Sequence, residues 1–241
     1  MCGRYTLTSP GAVFAELGDL LGGPRATGTA HVDRKPRYNI SPTQAAPVLR
    51  AGRSGREIAD LRWGLVPSYA ADPSVGSRHI NARAETVAEK PAFRDSLRQR
   101  RCLVPADGFY EWRPDPADAK KRWPYFIHRS DGRPFVFAGL WSSWRGELET
   151  FTILTTEPTS FLRSLHDRMP LVLRPEEREL WLDAEAKLVA TWLADLPTRE
   201  GLEFEAYPVS ARVNRPVNDD AEILVPVESP AQIPAPQLDL F

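Results

Sequence analysis

Lysine is scarce in this chain: Lys35, Lys90, Lys120, Lys121 and Lys187 are the only ones among 31 cationic residues, leaving 26 arginines. Nearly all positive charge is therefore carried by the side chain suited to bidentate contact with phosphate. That charge is not in excess. Lysine plus arginine number 31 against 32 acidic residues, a net charge of -1, so a globally basic nucleic-acid binder is excluded and only a local patch is left open. Cysteine is scarcer still. Cys2 and Cys102 form no ligand cluster with the four scattered histidines, which supports neither a zinc site nor a disulfide framework, and no metal or cofactor is expected. No apolar run reaches membrane length and no signal segment is evident, so no membrane contact is expected. The expected location is the cytoplasm, at the nucleoid, with reduced thiols.

What is present suffices for a real core: 241 residues with 42% hydrophobic content predict one folded domain over 2–222 and a Pro-rich tail over 223–241. Ser9-Pro10 followed by Val13, Phe14, Leu17, Leu20 and Leu21 reads as a capped amphipathic helix ending at Gly22-Gly23. Residues 24–36 read as irregular. Ala46 to Arg50 and Ile58 to Trp63 read as a hairpin turned by Gly52 to Gly55. A helix from about Lys90 to Arg101 should turn Phe93 and Leu97 inward and Arg94, Arg98, Arg100 and Arg101 outward. Cys102 to Pro105 and Gly108 to Trp112 suggest bent strands. Tyr125 to His128 and Phe135 to Trp141 flank Ser130-Asp131-Gly132, a second hairpin signal. Thr150 to Thr155 is β-rich, helical patterns follow near 159–165, 175–182 and 185–194, and a last strand lies near Phe204 to Val209. The irregular alternation predicts an α+β fold: a curved, mainly antiparallel sheet or open β-barrel flanked by helices.

The first residues offer chemistry that no internal position has. Once Met1 is removed, Cys2 carries a thiol and a free α-amine on adjacent carbons, with reference pKa values of roughly 8.5 and 7.7 to 8.0. Such a pair captures aldehydes: the amine condenses to an imine, the thiolate adds to the imine carbon, and a five-membered thiazolidine closes. Met-Cys-Gly also opens class II glutamine amidotransferases, so this stretch alone leaves a terminal nucleophile for amide hydrolysis open.

Further segments match the opening as a set. Cys2-Gly3-Arg4-Tyr5, Arg37 to Pro42, Trp63 to Pro67, Asn81-Ala82-Arg83-Ala84-Glu85-Thr86, Gly108-Phe109-Tyr110-Glu111-Trp112 and His166-Asp167-Arg168-Met169-Pro170 occur in order. Together, across residues 2 to about 218, they resemble the SOS response-associated peptidase family. The resemblance implies capping of abasic sites in single-stranded DNA by a thiazolidine from the terminal Cys to the ring-opened sugar. It disfavours a glutamine amidotransferase. By motif, Cys2 is the crosslinking residue, with Asn81, Glu111 and His166 as active-site partners.

Their chemistry can be argued separately. Glu111, among Phe109, Tyr110 and Trp112, should have a pKa raised by desolvation and move protons during sugar opening and imine formation. The Asn81 amide can hold the α-amine. His166 can handle protons at the sugar hydroxyl or phosphate, including any β-elimination. Arg83 and Arg168 would clamp flanking phosphates. Arg4, Pro42, Trp63, Tyr69 and Trp112 are candidates to cover exposed bases, and Thr155 completes the DNA-binding set. Many family members carry Trp near the position of Tyr69. The peptidase in the family name resembles removal of the chain's own Met1, since no triad for general proteolysis is evident.

Gln237-Leu238-Asp239-Leu240-Phe241 resembles the bacterial sliding-clamp binding pentapeptide, with Gln237, Leu238, Leu240 and Phe241 as contacts. The expected partners are therefore abasic single-stranded DNA and the clamp, bound by a monomer. A non-covalent single-strand binder or clamp adaptor, with Cys2 inert, is the other alternative.

Overall fold

The strands, in chain order, are β1 (Tyr5–Leu7), β2 (Arg37–Ile40), β3 (Ala45–Gly52), β4 (Gly55–Trp63), β5 (Asn81–Arg83), β6 (Arg101–Ala106), β7 (Gly108–Pro114), β8 (Arg122–Arg129), β9 (Phe135–Trp144), β10 (Leu148–Thr156), β11 (Met169–Pro170), β12 (Val172–Leu173) and β13 (Phe204–Pro208). The helices are α1 (Pro10–Glu16), α2 (Pro91–Gln99), α3 (Ser160–Arg163), α4 (Arg178–Asp183) and α5 (Ala186–Ala194). This is a computed structural model that describes residues 2–21, 34–52, 55–115, 117–118, 120–196 and 198–228.

Apolar runs, several of them buried along most of the strand, build both sheets. One runs β13-β8-β7-β1-β2, and the other β11-β10-β4-β3-β6-β9-β12. Because β10 pairs with both β4 and β9, the strands β10, β4, β3, β6 and β9 close into a five-stranded barrel. The α+β architecture and the curved sheet are as expected, with the barrel closed rather than open. Closure removes two exposed strand edges and their unpaired backbone groups.

The two sheets share one aromatic core. The ring of Tyr5 on β1 meets Trp63 edge-on at 5.3 Å and Phe137 at 6.0 Å. Phe109 on β7 packs against Phe135, Phe137 and Phe204. Each such pair contributes about 0.5–1.5 kcal/mol beyond its buried area, so the short β1 is pinned firmly despite its length.

The β3–β4 hairpin is as read, pairing from Ala45↔Arg62 to Gly52↔Gly55. The second hairpin is not. Ser130-Asp131-Gly132 does turn the chain, with Gly132 at φ +68° and Asp131 accepting the Arg133 N–H at 3.0 Å. Yet β8 pairs with β7 and β13, while β9 pairs with β6, β10 and β12. The turn marks the crossing between sheets. Turn chemistry reports a local reversal, whereas pairing was decided by the free edges of β7 and β6.

Helix α2 is shorter than its charge pattern suggests, and Arg101 is a correction. It opens β6, is buried, and its guanidinium donates to the carbonyls of Leu97 (2.7 Å), Trp181 and Ala184. A buried Arg is tolerated here because these carbonyls, at the C-terminal ends of α2 and α4, lack helical partners. Ser9 does not cap α1 with its side chain; its N–H and hydroxyl both donate to Asp107. Helices α3, α4 and α5 and strand β13 fall where the patterns place them. Among the described residues no helix is long and apolar enough to cross a membrane.

Candidate active site at the first strand

Strand β1 holds Cys2 against the other motifs. Tyr5 pairs with Phe109 of β7 on one side and Ile40 of β2 on the other, and the Tyr110 N–H donates to the Arg4 carbonyl at 3.0 Å. Side chains alternate along a strand, so Glu111 points to the same face as the core residue Phe109. That register explains why a carboxylate is only 3% exposed. From the opposite direction, β5 lies parallel to β10, with Asn81 against Ile153. The Asn81 amide nitrogen donates to the Cys2 carbonyl at 2.7 Å. Its oxygen is buried without a hydrogen-bond partner among the described residues. His166 ends the turn after α3, its N–H donating to the Leu162 carbonyl at 3.0 Å. Its Nε2 then lies 4.0 Å from Glu111 Oε2.

Glu111 and His166 line a narrow cleft walled by Phe109, Ile127, Leu162, Leu165 and Met169. These apolar walls penalise charge. Burial raises the Glu111 carboxyl to about 7, against the downward pull of the positive chain terminus. Burial also pushes the Cys2 thiol well up, and the neighbouring Glu111 charge adds to it. Cys2 is fully buried and its Sγ–H lies 3.6 Å from the Arg4 carbonyl. Burial lowers the His166 pKa, which favours the neutral ring. Its Nδ1 accepts the Arg168 backbone N–H at 3.0 Å, so the ring proton falls on Nε2, facing Glu111. Asp167 Oδ1 lies 2.7 Å from the same Nδ1, a contact that is favourable only when Nδ1 carries a proton and so ceases to accept from Arg168.

The expected DNA-binding residues divide into two groups. Arg4, Pro42 and Trp112 are part-exposed, and Tyr69 (64%) and Arg83 are exposed. Trp63 and Thr155 are corrections. The Trp63 indole is fully buried, stacked on Phe151 at 6.2 Å, and donates to the Ile80 carbonyl at 2.8 Å, so it has no face to offer a base. Gly64 behind it has φ +120°, with the Gly76 carbonyl where a side chain would begin. Thr155 is enclosed between β5 and β11 and contributes its carbonyl, which accepts from Arg168 at 2.7 Å. Arg168 itself is held by the Glu85 carboxylate at 2.9 and 2.8 Å, so its charge is already compensated. The residues Gln237, Leu238, Leu240 and Phe241 lie outside the described residues.

Three neighbours of the site escaped the sequence reading. Glu85 falls inside a motif that was recognised, but nothing local shows that it reaches Arg168. Asn214 accepts the Trp112 indole N–H on its side-chain oxygen at 2.8 Å, and its carbonyl lies 3.4 Å from Arg4 Nη2. Arg122 donates to the Trp112 carbonyl at 3.2 Å and contributes to the lowered pKa of His166. Neither carries a signal in sequence, since both act across folds of the chain. Among the described residues no group of His, Cys, Asp and Glu comes together as a metal site.

Residues 1–216 match the SOS response associated peptidase (SRAP) family. Abasic site processing protein YoaM of Bacillus subtilis (strain 168) is 38% identical over 228 residues, covering 93% of this chain and 97% of the relative. Abasic site processing protein YedK of Escherichia coli (strain K12) is 33% identical over 195 residues, 79% and 85% of the two chains. An X-ray structure of a protein from Bacteroides thetaiotaomicron superposes with a TM-score of 0.75 at 25% identity, covering 94% of this chain and 100% of that one.

Proposed function

Since the chain belongs to the SOS response associated peptidase family, we propose that it processes abasic sites in single-stranded DNA by crosslinking them to Cys2 once Met1 is removed. Removal of Met1, assisted by the same site, is required by the chemistry because the amine must be free. Glu111, near half-protonated at neutrality, gives a proton as the sugar opens from hemiacetal to aldehyde. The α-amine, held by the unpartnered Asn81 oxygen, adds to C1′, and loss of one water leaves an imine. The thiol then adds across the C=N bond: sulfur bonds to C1′ and its proton passes through Glu111 to nitrogen. One water is released and no oxidant or reductant is consumed. The Nε2–H of His166 can serve the sugar hydroxyl or phosphate, which would also support lyase-like β-elimination from the imine.

The observation that carries this reading is the meeting of Cys2, Asn81 and a carboxyl whose burial keeps it a usable acid at neutral pH. The test is incubation of the processed protein with a uracil-glycosylase-treated single-stranded oligonucleotide, followed by denaturing electrophoresis. A shifted band that Cys2→Ala loses is expected; the same band from Cys2→Ala would overturn it. Glutamine turnover without DNA would favour the amidohydrolase instead.

The terminal Gln237-Leu238-Asp239-Leu240-Phe241 is read as a clamp contact carried on a Pro-rich tail. A peptide spanning 230–241 should bind the clamp in a fluorescence anisotropy titration. No binding at high micromolar clamp removes the idea.

A further inference from the structure

The segment from Ala211 to Asp219 is tied down with unusual density for an exposed loop. The buried amide of Asn39 donates to the carbonyls of Val213 (3.1 Å), Arg215 (3.2 Å) and Asn218 (2.8 Å). Asp219 accepts from the Asn39 N–H at 2.8 Å and from Arg37 and the Tyr38 N–H at 2.5 Å. Asn218 closes the loop on itself through the Arg212 carbonyl at 2.7 Å. The Asn39 amide nitrogen and the Asp219 carboxylate thus pin the loop at six backbone and side-chain points, although the Asn39 Oδ1 is buried without a partner among the described residues. The residue the loop presents, Asn214, is exposed. Its two contacts are Trp112, next to Glu111, and Arg4, two residues after Cys2. A rigid mount for an exposed side chain points to alignment of something that arrives from solution.

Charge singles out the same flank. Among the described residues Arg4 donates to the carbonyls of Gly3 and Asn214, and Arg122 to that of Trp112. Among the described residues no carboxylate pairs with either, whereas Arg168 on the other side is neutralised by Glu85. Burial lowers the Arg4 pKa, and its Nε is buried without a partner. Two guanidinium groups without a carboxylate partner among the described residues therefore lie near a part-exposed indole, one bonded to the Trp112 carbonyl and the other to the Asn214 that accepts the indole N–H. That combination suits a nucleotide: a base against the ring and a phosphate on the cations.

Resting on the reading of the site given above, we infer that Asn214 is a positioning residue and Arg122 a phosphate contact of a nucleotide subsite built on Trp112. The subsite takes the nucleotide beside the lesion, on the flank away from Glu85. Asn214 acts through Trp112, so the effects of removing either end of their hydrogen bond should not accumulate.

The experiment uses the full chain and a labelled single-stranded oligonucleotide without a lesion, with affinity read by anisotropy over a salt series. Arg122→Gln should weaken binding to all sequences and reduce the slope of log affinity against log salt by roughly 0.7. Asn214→Ala and Trp112→Phe should each weaken binding on the order of threefold to tenfold, and the double variant should be no weaker than the worse single. Thermal midpoints identify any variant that has lost its fold, and Asn214→Asp, which keeps an acceptor for the indole, should recover part of the Asn214→Ala loss. Unchanged affinity in Asn214→Ala, losses that multiply in the double variant, or an unaltered salt slope in Arg122→Gln would overturn the inference. A wild-type protein that binds this oligonucleotide with the expected variant pattern but forms no crosslink would retain the subsite and reject the crosslinking reading. The opposite pattern would reject the subsite alone.

Discussion

Glu85 grips Arg168 through two parallel hydrogen bonds, at 2.9 and 2.8 Å, and so neutralises the cation that the motifs would aim at a phosphate. Burial pulls the Glu85 pKa up, but Arg168 outweighs it and the net shift is downward, so the pair is charged at neutral pH. A phosphate must compete with that carboxylate for the guanidinium. Glu85→Gln should therefore tighten binding to single-stranded DNA by a few fold and steepen its salt dependence by roughly 0.7 in log–log slope. Weaker binding would mean that Glu85 instead holds Arg168 in the posture the strand needs.

Cys2→Ser keeps the α-amine and replaces the sulfur. It should still give an imine that borohydride traps, while the crosslink that survives denaturing electrophoresis without reductant disappears. Cys2→Ala should behave the same way, because the amine is common to both. A durable, reductant-free adduct from Cys2→Ala would show that sulfur is not the second bond.

The buried Glu111 carboxyl, raised from 4.5 to about 7, gives a signed prediction for stability. A folded-state pKa above the unfolded value favours the protonated form, so its contribution is fully present below about pH 4.5 and is lost as pH rises to 7. Glu111→Gln should match wild type near pH 4 and exceed it at pH 8 by on the order of 1–3 kcal/mol. Denaturant melts at the two pH values measure this. In the same variant the fall in crosslinking rate above neutrality, caused by loss of the Glu111 proton, should vanish together with most of the rate.

Asn81→Ala removes both the donor to the Cys2 carbonyl and the buried oxygen offered to the amine. Misplacing a nucleophile by an ångström costs on the order of a hundredfold, so single-turnover crosslinking should slow by one to two orders of magnitude while affinity for undamaged single-stranded DNA changes little.

Trp63→Phe tests a structural assignment. Losing the indole bond to the Ile80 carbonyl and part of a fully buried ring should lower stability by about 1–3 kcal/mol. Single-strand affinity of the folded protein should stay the same, because the ring is not at the surface. A clear loss of affinity at full folding would return Trp63 to the binding surface.

Local pattern was enough for much of the scaffold. The β3–β4 hairpin, α5 and the strand at Phe204 are set by neighbours a few residues away, and periodicity reads such contacts directly. Glu111 was legible for a related reason: two residues after Phe109 on a strand, a carboxylate shares the face that an aromatic residue turns to the core. The pairing of β8 and β9 was not legible, because Ser130-Asp131-Gly132 encodes a reversal but not which sheet receives the next strand. Arg101 and Trp63 failed for the converse reason. Their types suggest surface and stacking roles, and only the carbonyls of Leu97 and Ala184, or of Ile80, show where their polar atoms go.

By itself the sequence determined the reactive inventory: a cysteine at position 2, an amide, an acid in apolar company and a histidine. It also determined the strand periods that carry them, since both follow from residue type and near neighbours. Tertiary structure alone decided which charges remain available. Arg168 meets Glu85 across 83 positions, and Trp112 meets Asn214 across 102. Contacts at such separation arise from how β7, β10 and the loop at Ala211 to Asp219 pack, and no local pattern encodes them.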